Sequence, residues 1–428
     1  MKLKTILPIA LMALSATALS GCGDSGDKLT IWTFSDEMTN IVNKYYDGKA
    51  NVIEKNTVTQ VTSDLATAQR SNKNIPDIVC LEAAVVAKYT DVTIDSKQAA
   101  FLSLDDISGT EEMYDYTKSV SKTVDGHIIG LSWQATPGGF FYKEEIAKSV
   151  NINSPEEMKA KISTWQGYLA LAEELKAQNI KICSSIQDPI KVFLGDRSKG
   201  WVDNNTLQME DVMFGPTSGD KANCFDVVRT LHQNKYTKET GDRDEGWVKN
   251  IPSNDTLGYF CSSWGLNFDL MPAAGTTAGH WKMCEAPVNY FKGGTWLAIP
   301  KGAGKVDKAK EFIKFITTDQ EFLKKRCLET GDFMNSRSVM QQMSENYTCD
   351  FLGGQNHLKI LYEVAKKING NLISPYDATI DSIFETVAGD YAQTIVDEQL
   401  TQEQARENQK DSFVTGVASR YSNIIIPE

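Results

Sequence analysis

Aromatic and acidic side chains stand where strand-like runs of this chain end. Trp32 and Phe34 close the run Leu29–Phe34, and Asp36 and Glu37 follow at the start of a helix-like segment. Glu82 follows Ile78–Leu81, while Trp133 and Gln134 stand at the end of Ile128–Trp133. Flat aromatic faces cover apolar C–H surface, and carboxylates and amides exchange hydrogen bonds with hydroxyls. In open α/β sheets, ligands sit beyond the carboxyl ends of the strands, where these residues fall. The chemistry on offer is reversible capture of a small ligand that carries both kinds of surface. Each residue also fits a structural role: Trp32 and Trp133 as core packing, Asp36 and Glu37 as anionic partners of a helix N-terminus, Gln134 as a turn residue, Glu82 as a helix cap.

Bond-breaking chemistry finds no motif in the chain. There is no G-x-S-x-G and no H-E-x-x-H. His127, His232, His280 and His357 show no metal-ligand spacing. Gly302-Ala303-Gly304-Lys305 lacks the first glycine of a phosphate loop, and Val306 stands where Ser or Thr is needed. The run Asp242-Arg243-Asp244-Glu245-Gly246 would need a glycine at Trp247 and a Glu at Ser253 to hold calcium, so it reads as solvated loop. No metal or cofactor is expected.

These residues need elements to hold them. After Leu29–Phe34, Met38, Ile41, Val42 and Tyr45 recur at helical spacing until Gly48. Thr57–Val61 reads as a second strand with a helix from Ser63, and Ile78–Leu81 as a third with a helix from Ala83. This alternation predicts an α/β sheet with parallel strands. Ile128–Trp133 and Gly139–Tyr142 read as strands around Pro137-Gly138. Ser154-Pro155-Glu156-Glu157 opens a helix, Trp165–Gln178 is amphipathic, and Ile180–Ile186 returns as a strand. Ala222–Asn234 is helical, Thr295–Ile299 is a strand, and Thr401-Gln402-Glu403-Gln404 caps a last helix. With 428 residues the chain calls for two domains or more, yet no linker separates them. Lobes joined by several crossings follow.

The start of the chain sets the compartment. Lys2 and Lys4 precede the uncharged run Thr5–Leu19, which is shorter than the ~20 apolar residues a bilayer span needs. That pattern is a secretory signal. Leu19-Ser20-Gly21-Cys22 is similar to a bacterial lipobox. The resemblance implies a signal peptide over 1–21, lipid on Cys22 and a tether over 22–28. An ordinary signal peptide beside an incidental cysteine is the alternative. With 44 basic and 56 acidic residues the formal charge is −12, which argues against nucleic acid as a partner. Seven cysteines remain after Cys22, and no C-x-x-C occurs. Several are expected buried, with Cys261 and Cys284 as a candidate disulfide.

In order along the chain, several segments resemble the extracellular solute-binding proteins of ATP-driven importers, in the carbohydrate-binding family that includes maltose-binding protein. They are Leu29–Phe34, Pro76–Val79, Asp125–Leu131 with Phe141-Tyr142-Lys143, Cys261–Trp264, Gly293–Lys301 and Gly331–Arg337. The chain departs from the family pattern at Met334, at Ser262-Ser263 and at Thr164-Trp165. The resemblance implies a two-lobed periplasmic-binding-protein-like α/β fold with a hinge and an interlobe ligand cleft. Lobe one would hold 29–134 and 292–345, and lobe two 135–291 and 346–428. It adds Trp264, Gly294, Thr295, Trp296 and Arg337 to the candidate ligand-binding residues, with Trp133 and Trp264 stacking and Glu82 binding hydroxyls; hinge packing for Trp264, turn or packing roles for Gly294, Thr295 and Trp296, and a structural ion pair for Arg337 are the alternatives. It implies a mono- or oligosaccharide captured by hinge closure, no catalysis, a permease partner in the membrane, and a monomer anchored by lipid on the outer face of the cell membrane. A peptide or polyamine in the same fold, or a surface glycosidase built on two carboxylates, are the alternatives.

Overall fold

The computed structural model describes residues 28–91, 100–216, 222–370 and 372–427. The signal run, Cys22 and the tether as far as Asp27 lie outside the described residues.

Among the described residues, ten strands form three sheets. The first has the order β2-β1-β3-β10-β4, with β1 Leu29–Thr33, β2 Ala50–Glu54, β3 Ile78–Glu82, β4 Leu131–Ser132 and β10 Thr295–Ala298. β2 and β3 run parallel to β1, whereas β10 is antiparallel to both β3 and β4. The second sheet places β5, Gly138–Lys143, between β8, Gly258–Ser262, and β9, Trp281–Cys284, all antiparallel. The strands β6, Val202–Asp203, and β7, Thr206–Leu207, make a small hairpin.

Both main sheets are covered on two faces at their centres, where β3, β5 and β8 are buried along their length. On β1, Leu29 and Ile31 pack with Met38, Ile41 and Phe312, while Trp32 turns to the other face with Val61, Leu65 and Val86. On β5, Phe140 faces Trp165, Tyr168 and Phe260, while Phe141 faces Tyr259, Leu266 and Trp281.

Four sequence expectations change here. Thr57–Val61 is not a strand: Thr57 accepts from the Gln60 amide and caps the helix Val58–Ser71, whose Val61, Leu65 and Ala68 are buried at helical spacing. The second strand is instead the short, half-exposed β2. Ile180–Ile186 makes only isolated bridges, from Lys181 to Thr256 and from Cys183 to Thr237. Ile128–Trp133 shortens to the two residues of β4. Cys261 and Cys284 are free, as are the other five described cysteines, and all seven are buried. They sit on β8 and β9, opposite Gly139 and Phe140, with β5 between them. Two strand spacings of ~4.8 Å exceed the reach of a disulfide.

The two sheets are the centres of two lobes. The helix Asp377–Gln393 packs between Cys224–Gln233 and Gln402–Arg420 on the second lobe. Between the lobes the chain passes at 133–137 and 285–294. These passes are bound to each other: Gly138 N–H donates to Tyr290 O at 2.9 Å, and Lys292 N–H to Thr136 O at 3.3 Å. Thr136 is buried and holds a φ of 51°, a left-handed value that a β-branched residue adopts only under constraint. A third link is the helix pair Arg337–Asn346 and His357–Ala365, the second of which also touches β5 and β9. A buried carboxylate joins the lobes as well. Asp332 accepts from Gln134 Nε2 at 2.7 Å on the first-lobe side and from Ser263 Oγ on the second.

Candidate functional site

The carboxyl ends of the first sheet face the second lobe across a cavity of about 210 Å³. Phe34 and Ser35 enter it just after β1, and Glu82 from the end of β3. Because β10 runs antiparallel to β3, its first residue Thr295 pairs with Glu82 and reaches the same rim. The second lobe contributes Arg243, Trp264 and Phe268.

Trp264 is half-buried at the end of β8, and its indole N–H donates to Lys292 O at 2.8 Å. The Arg243 guanidinium lies 4.8 Å from its ring centre, within cation–π range. Asp269 holds that guanidinium through Nε at 3.0 Å. Gly293 and Gly294, at φ 69° and 93°, let the crossing chain lie flat against this wall. A Cβ on Gly293 would stand 2.9 Å from Trp264 Nε1, and one on Gly294 3.0 Å from the Thr136 methyl.

The polar groups are held from behind. Gln134 is buried; its Oε1 accepts from Thr295 N–H at 3.2 Å while its Nε2 serves Asp332. Glu37 takes the Arg326 guanidinium at 2.8 Å, and burial pushes its carboxyl up to about 7. Glu82 caps the helix Ala83–Ala87 by accepting from Ala84 N–H at 3.0 Å, and burial raises its pKa too. Past Glu82 and Gly293 the cleft continues into a narrower space of about 70 Å³, lined by Lys292, Arg197 and Asp381.

The fold thus gathers Phe34, Glu37, Glu82, Gln134, Trp264, Gly294 and Thr295 around one cavity. Five other candidates stay away from it. Trp32 is buried on the far face of β1, with the Lys55 ammonium 4.5 Å from its ring. Trp133 is 1 % exposed in the core between the sheets. Trp296 is equally buried and donates to Thr117 O at 3.2 Å. Asp36 is exposed ahead of the helix Glu37–Tyr45. Arg337 binds Glu111 O at 3.0 Å and Asp115 at 2.9 Å away from the cleft. Alternation along a strand and helical phase put these side chains on the wrong side of their elements.

Arg243, Phe268, Lys292 and Gly293 were absent from the sequence-based set. Asp242–Asp244 is an exposed turn, as read, yet its first two residues also reach the cleft. Asp242 pairs with Lys191 and Arg243 enters the cavity, while Asp244 caps the helix Glu245–Lys249. No local pattern could show this, because Arg243 meets Trp264 and Asp269 only through the fold. Among the described residues no group of three or more His, Cys, Asp or Glu side chains could hold a metal ion. No helix among them is long and apolar enough to cross a membrane.

A family model for bacterial extracellular solute-binding proteins matches residues 37–348. The chain belongs to this family. The arabinooligosaccharide-binding protein of Bacillus subtilis (strain 168) is 22% identical over 414 residues, covering 86% of this chain and 90% of the relative. Two solved structures share the fold of this solute-binding protein. One is the ABC transporter associated binding protein from B. animalis subsp. lactis Bl-04 in complex with β-1,6-galactobiose. It has a TM-score of 0.70 at 18% identity, covering 94% of this chain and 100% of that one. The other is the galacto-N-biose-/lacto-N-biose I-binding protein from Bifidobacterium longum in complex with lacto-N-biose. It has a TM-score of 0.70 at 17% identity, covering 95% of this chain and 100% of that one. For a solute-binding protein, two facing lobes and a cleft between them are the working parts.

Proposed function

We propose that this solute-binding protein captures an oligosaccharide between its lobes and delivers it to the permease of an ABC importer. The observation that carries the reading is the cavity itself. Phe34 from one lobe and Trp264 from the other supply aromatic surface, with Glu82 beside them as a hydroxyl partner. Such a set suits a sugar's C–H faces and hydroxyls together. The names of the Bacillus subtilis relative and of the two ligands bound in the structural neighbours point the same way.

Capture works by differential contact. A ligand held by both lobes favours the closed arrangement over an open one, because only the closed form makes all the contacts. The paired crossings at Thr136–Lys292 and Gly138–Tyr290 are the hinge about which the lobes turn. The site binds its sugar without cleaving it. Glu37 is spent on Arg326, which leaves Glu82 without a second free carboxylate to pair with across this cavity. The protein acts as a monomer, held to the outer face of the cell membrane by lipid on Cys22.

A thermal-shift screen across neutral oligosaccharides, including arabinooligosaccharides, β-1,6-galactobiose and lacto-N-biose, tests the ligand class. A sugar that binds only the folded state raises its stability by about 2.7 kcal/mol at a hundred times Kd. Shifts from a peptide or a polyamine with none from any sugar would overturn the reading. For the anchor, metabolic labelling with a tagged fatty acid should mark the wild-type chain and not Cys22→Ser.

A further inference from the structure

Lys292 brings an ammonium into the cleft that the protein leaves unpaired. Its backbone is used on both sides, since N–H donates to Thr136 O and the carbonyl accepts from Trp264. Its side chain lines the space of about 70 Å³ with Glu82 and Asp381, and a smaller one of about 30 Å³ behind Trp264. Among the described residues, no acceptor lies within hydrogen-bond reach of Nζ and no carboxylate within 4.0 Å.

The other cations of the cleft each have a partner, although Arg197 keeps a buried Nη1 without an acceptor. Lys191 pairs with Asp242, Arg243 with Asp269, and Arg197 with Leu194 O at 3.0 Å and Asp377 at 3.9 Å. Lys292 is half-buried and stays charged, because Asp381, Glu385, Glu82 and Asp242 surround it at longer range and raise its pKa. Its three donors meet solvent rather than protein, so the acceptors of a ligand in the cleft can take the place of water there. Its neighbours are also half-used. Glu82 gives one oxygen to Ala84 N–H, and Asp381 gives Oδ1 to Trp201 Nε1 at 2.7 Å. Each keeps a second oxygen for another donor.

Vicinal hydroxyls fit this pattern, since each donates once and accepts twice. A carboxylate on the ligand does not, because it would meet Glu82 and Asp381 on either side of the Lys292 ammonium. We infer that Lys292, Glu82 and Asp381 form a polar clamp for the hydroxyls of a neutral sugar unit and exclude its uronic-acid counterpart. The inference rests on the sugar reading given above and narrows it.

The test uses the unmodified protein first. The neutral disaccharide with the largest thermal shift is compared by calorimetry with the same disaccharide oxidised at a primary alcohol to the uronate. The uronate should bind about thirtyfold more weakly or worse, as like charges in a desolvated site require. Lys292→Met should weaken the neutral ligand by about tenfold or more, the loss expected for charge-assisted hydrogen bonds. Glu82→Gln should narrow the gap between neutral and uronate ligands. Equal or tighter binding of the uronate would overturn the clamp, as would full affinity in Lys292→Met. Should Lys292→Met fail to fold, the comparison on the unmodified protein decides alone. The absence of a shift from every saccharide would instead remove the sugar reading, and the clamp with it.

Discussion

The indole N–H of Trp264 donates to the carbonyl of Lys292 at 2.8 Å, which fastens the aromatic wall of the second lobe to a chain segment that crosses between lobes. Ligand stacking and lobe geometry therefore share one contact. Trp264→Ala should cost at least about tenfold in sugar affinity, as loss of a stacking face does, with a small effect on the free protein's melting temperature because the ring is half-exposed. Trp264→Phe keeps a face but loses the anchor and should fall between the two. Titration calorimetry on the three proteins checks the order.

Gly293 leaves no room for a side chain. Its φ is 69°, and a Cβ would sit 2.9 Å from Trp264 Nε1. Gly293→Ala should lower stability by about 1–3 kcal/mol from backbone strain and crowding, and weaken binding further by displacing the indole. Urea denaturation and calorimetry together separate the two effects.

Asp332 is 3 % exposed and accepts from Gln134 Nε2 and Phe333 N–H, each at 2.7 Å, and from Ser263 Oγ. Asp332→Ala strands these buried donors and should cost about 2–4 kcal/mol of stability in urea. Ligand affinity should fall as well, because Gln134 and the residue before Trp264 both lose their common partner.

Asp188 is 1 % exposed, accepts from Trp247 Nε1 at 3.1 Å, and is pushed by burial to about 7 from the usual 3.8. Between those values the folded chain keeps a proton that the unfolded chain has released. This group therefore makes stability fall as pH rises through that window. Asp188→Asn keeps an acceptor for Trp247 and removes the titration. The variant should gain stability over the wild type at pH 8, on the order of 2 kcal/mol or more, and the gain should fade towards pH 4. Denaturation curves at several pH values test this; a difference that does not change with pH would refute it.

The seven described cysteines are buried thiols. A thiol reagent should find none of them in the folded protein and all seven after unfolding in denaturant. Adding reductant should leave the melting temperature unchanged.

Several parts of the fold were legible because they depend on neighbours in the chain. Ser154 caps the helix Pro155–Lys161 with Pro155 in its first turn, and Thr401 with Gln404 forms the capping box of Gln402–Arg420. Phe34 and Glu82 were found because residues that end strands gather at one edge of a sheet, and Trp264 because its segment resembles the family's. Thr57–Val61 was misread because a short run of β-branched residues serves a helix start as well as a strand.

The chain's order of residues by itself determined the alternation of elements, their caps and most of the strand ends that meet at the cleft. Those features follow from periods of two and 3.6 residues and from local hydrogen bonds. Only the tertiary structure decided which strand-end side chains face the cavity and which, like Trp133 and Trp296, fill the core. It alone brought Arg243 onto Trp264 and left Lys292 unpaired among acids. Such pairings join residues far apart in the chain, and only the packing of one lobe against the other sets the distances between them.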